Sequence, residues 1–141
     1  MITAVDTSVL LDILGADPGF GRSSARALRD CIARGGVIAC EIVWAETSSS
    51  FALAAAAEEA LAKLRVDFSP ISATDSLAAG EAWREYQQAS DPHGRVIADF
   101  LIGAHAMASA DRLLTRDRGF YARYFEGLTI LDPTAGDLPK P

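Results

Sequence analysis

The chain has 141 residues, 50% of them hydrophobic and 23% charged, with a formal net charge of −6. That length predicts one domain able to bury roughly two-thirds of its unfolded surface, and the composition excludes disordered and fibrous classes. No apolar run reaches the ~18 to 20 residues a spanning helix needs, so no membrane association is expected. No basic stretch with an apolar h-region opens the chain, so the expected location is cytoplasmic.

Ile2 to Val5 is a short apolar run with β-branched residues, stopped by Asp6-Thr7-Ser8, and predicts a buried strand followed by a helix N-cap. Val9, Leu10, Leu11, Ile13 and Leu14 begin that helix, and Gly15 to Gly21 with Pro18 is a turn. Ser23 to Ala33 predicts a second helix closed by Gly35-Gly36, and Val37 to Cys40 a second strand. Glu41 to Ala57 is helical in composition and Glu58 to Val66 continues it, with Phe68 to Ile71 a short strand. Ser72 followed by Asp75 forms a variant capping box for a helix running to about Ala89, and Ser90 to Gly94 breaks it. Val96 to Ala110 predicts a strongly apolar helix, Leu113 to Thr115 a strand, Gly119 to Phe125 a short helix and Leu128 to Leu131 the last strand. Strands alternating with helices at this spacing predict βαβ units around a parallel sheet.

Cys31 and Cys40 lack metal-ligand or redox spacing and read as buried, reduced thiols. The acidic balance argues against bulk electrostatic binding of nucleic acid. The cations are lopsided, however, with eleven Arg against Lys63 and Lys140. Arg112, Arg116, Arg118 and Arg123 fall close together, and arginine suits bidentate phosphate contacts, so a local phosphate-binding strip is compatible with the charge. A solvated surface strip is equally compatible.

The informative acids are those in costly places. Asp6 ends the first strand, Asp99 interrupts an apolar helix, Glu46 follows Ile42-Val43-Trp44-Ala45, and Asp117 lies just past a strand. In an open parallel sheet, ligands bind outside the carboxyl ends of the strands. Two carboxylates about 4 Å apart at an effective dielectric of 20 repel by ~4 kcal/mol. A divalent cation removes that repulsion, and oxygen-only ligands favour Mg²⁺ or Mn²⁺. The matching chemistry is metal-assisted hydrolysis of a phosphodiester. Each acid also has a structural alternative: Asp6 as a helix cap, Asp117 as a loop acid, Glu46 solvated, Asp99 paired with Arg95. Asp12 and Asp111 read as surface acids, Glu41 as an acid at a helix N-terminus, and His105 as a packed core histidine.

Four blocks in order resemble the PIN-domain ribonucleases, and among them the VapC-type toxins of type II toxin–antitoxin pairs: Ile2 to Leu11, Val43 to Glu46, Ile97 to Ala106 and Leu113 to Phe120. The resemblance implies a three-layer α/β/α sandwich spanning 1–141 as a single PIN-like domain, with a short Pro-containing tail from about 133. It also implies Mg²⁺ or Mn²⁺ in an acidic pocket, endonucleolytic cleavage of structured RNA such as tRNA or rRNA, a cognate antitoxin and a homodimer. Carried over residue by residue, Asp6 and Asp99 are the principal metal ligands, and Glu46 and Asp117 complete the shell. Thr115, together with Thr7 or Ser8, would hold a metal water or a phosphate oxygen, and one or more of Arg112, Arg116 and Arg118 would neutralise flanking phosphates. An antitoxin groove is expected on the first helix (Val9, Leu10, Ile13) or the Ile42 to Phe51 helix. A haloacid-dehalogenase phosphatase needs an acid where Ser8 stands, and a response-regulator receiver needs paired acids where Asp6 is followed by Thr7. The remaining alternative is a catalytically silent PIN-like module that only binds RNA or a partner.

Overall fold

The structure is a computed structural model that describes residues 1–89 and 94–135. The Ser90 to Gly94 break and the Pro-containing tail therefore lie largely outside the described residues. Five strands form one sheet in the order β3-β2-β1-β4-β5: β1 (Ile2–Val5), β2 (Gly36–Ala39), β3 (Val66–Phe68), β4 (Arg112–Leu114) and β5 (Thr129–Leu131). Every pairing is parallel. Seven helices flank it among the described residues: α1 (Thr7–Leu14), α2 (Gly21–Arg34), α3 (Glu41–Ser48), α4 (Ala54–Lys63), α5 (Ala73–Gln87), α6 (Ile97–Ser109) and α7 (Arg118–Tyr124). Crossovers run leftward through α1 to α4 and rightward through α5 to α7, so right-handed connection puts the two sets on opposite faces. The result is the three-layer α/β/α sandwich. No described helix is long and apolar enough to cross a membrane.

The central strand explains most of this order. Thr3, Ala4 and Val5 are buried, because β1 is paired on both edges and covered on both faces, which a continuous apolar run satisfies. Cys31 and Cys40 are buried in the same core, and burial pushes both thiols up. The Ser72 capping box forms as its sequence predicts: Ser72 Oγ accepts from Asp75 N at 3.0 Å, and Asp75 Oδ2 accepts from Ser72 N at 3.1 Å. The long helix expected over Glu41 to Val66 is broken after Ser48, and α4 begins at Ala54. Three consecutive serines favour local hydrogen bonds over helix, and Ser48 Oγ and Ser49 Oγ donate back to Ala45 and Glu46 carbonyls. The third strand falls two residues before the expected Phe68 to Ile71.

An aromatic cluster joins α5, α6 and α7. Phe100, fully buried, lies 5.1 to 5.5 Å by ring centroid from Trp83, Tyr86, Phe120 and Tyr124, in the edge-to-face and tilted arrangements that aromatic quadrupoles prefer. Gly103, one turn along α6, leaves room for Phe125: a Cβ there would sit 2.2 Å from its ring.

Candidate active site

In a sheet ordered 3-2-1-4-5, the chain leaves β1 toward one edge and β4 toward the other, so the topological switch point lies between them. In open sheets of this kind, ligands bind there, outside the carboxyl ends of the strands. Asp6 is the residue after β1, and its backbone N donates to Leu114 O at the end of β4. Asp117 lies three residues past Leu114 and immediately before α7. The sheet thus sets Asp6 against the end of β4, and the short β4–α7 connection carries Asp117 beside it.

Two threonines join them. Thr115 Oγ1 donates to Asp6 Oδ2 at 2.7 Å and accepts from Asp117 N at 3.0 Å. Thr7 N donates to Asp6 Oδ1 at 2.8 Å, so Asp6 caps α1, as one reading of the sequence expects. Thr7 Oγ1 donates to Glu46 Oε1 at 2.8 Å, which brings in the acid of α3. Glu46, Thr7, Asp6, Thr115 and Asp117 thus form one hydrogen-bonded chain. Glu41, five residues before Glu46 and on a different helix face, instead accepts from Ile71 N at 2.9 Å and ties the loop before α5. Asp99 is at the third position of α6, where its Oδ2 accepts from Val96 N at 3.2 Å.

Asp117 does not cap α7. Its carboxylate is held by both terminal nitrogens of Arg95, one to Oδ2 and the other to Oδ1 at 3.0 Å. The Arg95 guanidinium lies 4.1 Å from the centroid of Phe120. The sequence offered Arg95 only as a partner of Asp99; Asp99 attracts it electrostatically, but the ion pair is with Asp117.

The electrostatics follow from burial. Asp6 is 8% exposed. Desolvation, then the charges of Glu46 and Asp117, push its pKa up to about 6 against hydrogen bonds from Thr115 and Thr7. Tyr121, buried in α7, feels Asp6, Asp99 and Asp117 together; burial and those charges push its phenol far up, so it stays neutral. Tyr121 is the neighbour of these acids that sequence reasoning missed, because it carries no distinguishing local pattern, and Arg95 was matched to Asp99 alone.

The other predicted residues divide. Arg118, exposed at the first position of α7, is open to a phosphate. Ser8 Oγ is buried beside the Asp6 cap with no hydrogen-bond partner among the described residues. Arg112 is not a phosphate contact: it is 5% exposed at the amino end of β4, opposite the acidic rim, and Nε donates to Thr3 Oγ1 at 2.9 Å. Arg116 turns away as well, binding Asp12 at 2.8 and 3.1 Å and lying over the Phe20 ring. Asp12 is accordingly no surface acid but 4% exposed, with Ser24 Oγ as a further donor. Asp111 is exposed, accepting from Ile2 N at 2.7 Å. His105 is a core residue, 1% exposed and 3.0 Å from Ser69 Oγ.

For a divalent cation, the donor chemistry fits: the rim offers hard carboxylate and hydroxyl oxygens with no thiol or imidazole among them. The threonines link the acids without drawing them onto one point, and among the described residues no three acidic, His or Cys groups converge on one ion position. Asp6, Glu46, Asp99 and Asp117 are the residues that would hold the ion.

A doubly wound parallel sheet with carboxylates gathered at its switch point defines an α/β protein with an acidic rim. The PIN domain profile matches residues 3–126, and the chain belongs to the PIN domain family. Solved structures share the fold. VapBC2 from Rickettsia felis, bound to a DNA fragment from its promoter, is 22% identical with a TM-score of 0.72, covering 94% of this chain and 98% of its own. VapBC-1 from nontypeable Haemophilus influenzae is 18% identical with a TM-score of 0.70, covering 95% and 99%. VapC20 of Mycobacterium tuberculosis, described as a sarcin-ricin loop cleaving toxin, is 16% identical with a TM-score of 0.55, covering 84% and 93%. No curated protein matches.

Proposed function

We propose that this chain is a Mg²⁺- or Mn²⁺-dependent endoribonuclease, the toxin of a toxin–antitoxin pair, hydrolysing phosphodiester bonds in structured RNA such as tRNA or rRNA. The observation that carries this reading is the hydrogen-bonded chain from Glu46 through Thr7, Asp6 and Thr115 to Asp117 at the sheet's switch point. Such a network preorganises oxygen donors around a buried carboxylate that is costly to ionise alone. A divalent cation bound there would supply Lewis-acid activation of water and neutralise charge on the phosphate. The chain's own residues do the rest. Thr7 and Thr115 fix the orientation of Asp6, Asp117 or Glu46 accepts the proton of the attacking water, and Arg118 meets a flanking phosphate at the exposed start of α7. The phosphate stays with the 5′ end of the downstream fragment, leaving a 3′-hydroxyl.

Membership of the PIN family and the VapBC complexes among the structural relatives support a cognate antitoxin for this chain, and the resemblance to the family is what suggests a homodimer. Of the two surfaces the sequence suggests, the first helix offers only Ile13, because Val9 and Leu10 are fully buried, while Ile42, Trp44 and Phe51 of the second stay partly exposed. Ile13 reaches a groove of about 530 Å³ lined by Leu28, Ile32 and Leu64 and rimmed by Arg29, Lys63 and Arg65. The overall acidity of the chain suits a small RNA footprint, such as a presented single-stranded loop.

One observation favours the second reading, a catalytically silent RNA- or partner-binding module: Asp117 is already paired with Arg95. Incubating the purified protein with total RNA, with and without Mn²⁺, separates the two. Cleavage that needs Mn²⁺ and is lost in Asp6→Ala supports the nuclease. RNA left intact by folded protein in Mn²⁺ establishes the silent module, and cleavage retained in Asp6→Ala overturns the site.

A further inference from the structure

We propose that Arg95 is a built-in competitor of the divalent cation for Asp117, so that loading the acidic rim requires this arginine to be displaced. The inference rests on the metal-dependent reading above and assigns a role to a residue outside the acid set. Four observations carry it. Arg95 grips both oxygens of Asp117, occupying the edge of the carboxylate at which a cation would be held by both oxygens together. It also lies within the field of Asp99, so one guanidinium serves two of the four acids. The pair is reachable, with the Arg95 and Asp117 side chains 28% and 40% exposed. Finally, Arg95 has anchors other than Asp117: its guanidinium lies 4.1 Å from the Phe120 centroid, and its backbone N donates to Tyr86 Oη at 3.2 Å.

These contacts make the exchange physically cheap. Leaving Asp117 does not strand the guanidinium in an apolar site, because the Phe120 face and solvent remain on offer. A half-exposed ion pair is stabilised by only a modest margin, whereas a divalent cation interacts with several carboxylates at once. The arginine therefore lowers the charge density of the rim at low cation concentration and yields to the cation as its concentration rises. Asp6, Glu46 and Asp99, which no arginine touches among the described contacts, are the acids left to make the first contact.

The test is calorimetric titration of Mn²⁺ into the purified full chain, comparing wild type with Arg95→Gln, Arg95→Lys and Arg95→Gln/Asp117→Asn. Arg95→Gln should bind Mn²⁺ roughly tenfold more tightly, a change of about 1.4 kcal/mol. Arg95→Lys, which keeps the charge but loses the two-pronged grip, should fall between the two. The double variant should lose the gain, since the ligand being released is Asp117. Equal Mn²⁺ affinity in wild type and Arg95→Gln dismisses the role of Arg95 while leaving the metal reading intact. Absence of Mn²⁺ binding in both, with thermal melts showing folded protein, removes the metal reading and this inference with it. Should Arg95→Gln fail to fold, Arg95→Lys binding no more tightly than wild type overturns the proposal by itself.

Discussion

Thr115 Oγ1 stands between Asp6 and Asp117, donating to the carboxylate of the first at 2.7 Å and accepting from the backbone N of the second at 3.0 Å. The hydroxyl is fully buried, so neither partner can replace it with water. Thr115→Val keeps the shape and removes both bonds, stranding a buried acceptor and a backbone donor. The expected loss is about 1–3 kcal/mol in a denaturant titration. The proposed Mn²⁺-dependent cleavage should fall with it, because Asp6 loses the contact that orients it.

Asp6 itself should be a source of instability when no cation is present. Its folded pKa of about 6 lies above the ordinary 3.8, so between those values the folded state binds more protons than the unfolded one. Stability therefore decreases as pH rises through that window, and the full penalty is present above it. In EDTA near neutral pH, Asp6→Asn should melt higher than wild type. The gain is on the order of 1–2 kcal/mol, because relief of the charge outweighs one lost hydrogen bond. Below the ordinary carboxylate range the advantage should vanish. A lower melting point for Asp6→Asn at neutral pH would show that the carboxylate is stabilising.

His105 carries the opposite sign. Burial lowers its pKa below 6.5, with Asp75 and Glu41 offsetting part of the effect. The unfolded chain then takes up a proton that the folded one refuses, so stability falls as pH drops below about 6.5. Melting curves of wild type and His105→Gln across that range should show the wild-type advantage shrinking toward acid. A difference that stays constant with pH would mean the imidazole is not held neutral.

Gly103 is a packing prediction. A methyl group on α6 would meet the Phe125 ring at 2.2 Å, and Phe125 is itself hemmed in by Phe100, Phe120 and Tyr121. Gly103→Ala should destabilise the protein by about 1–3 kcal/mol, in spite of the better helix propensity of alanine. Pairing it with Phe125→Leu should recover part of the loss, as measured by thermal melting.

What the sequence made legible were features written in short stretches. The buried run of β1, the Asp6 cap, the Ser72–Asp75 box and the apolar helix around Asp99 all rest on neighbouring residues, and each takes the expected place. The parallel sheet followed from their alternation. The misreadings involve contacts between distant residues. Asp12 and Arg116, 104 positions apart, look like two solvated charges until the fold joins them. Arg112 looks like part of a basic strip because nothing local reveals that β4 pairs it in register with Thr3. Arg95 reaching Asp117 depends on where α6 docks relative to α7. The break between α3 and α4 was a local signal, the serine run from Ser48, masked by the alanines that follow.

The position of β1 in the sheet bears on how the molecule is made. Its first residues hydrogen-bond to β2 on one side and to β4, over a hundred residues later, on the other. A chain still emerging from the ribosome has Asp6 and Glu46 early but neither Thr115 nor Asp117. The acid pocket is thus completed only after residues 112–117 have been made and β4 has paired with β1.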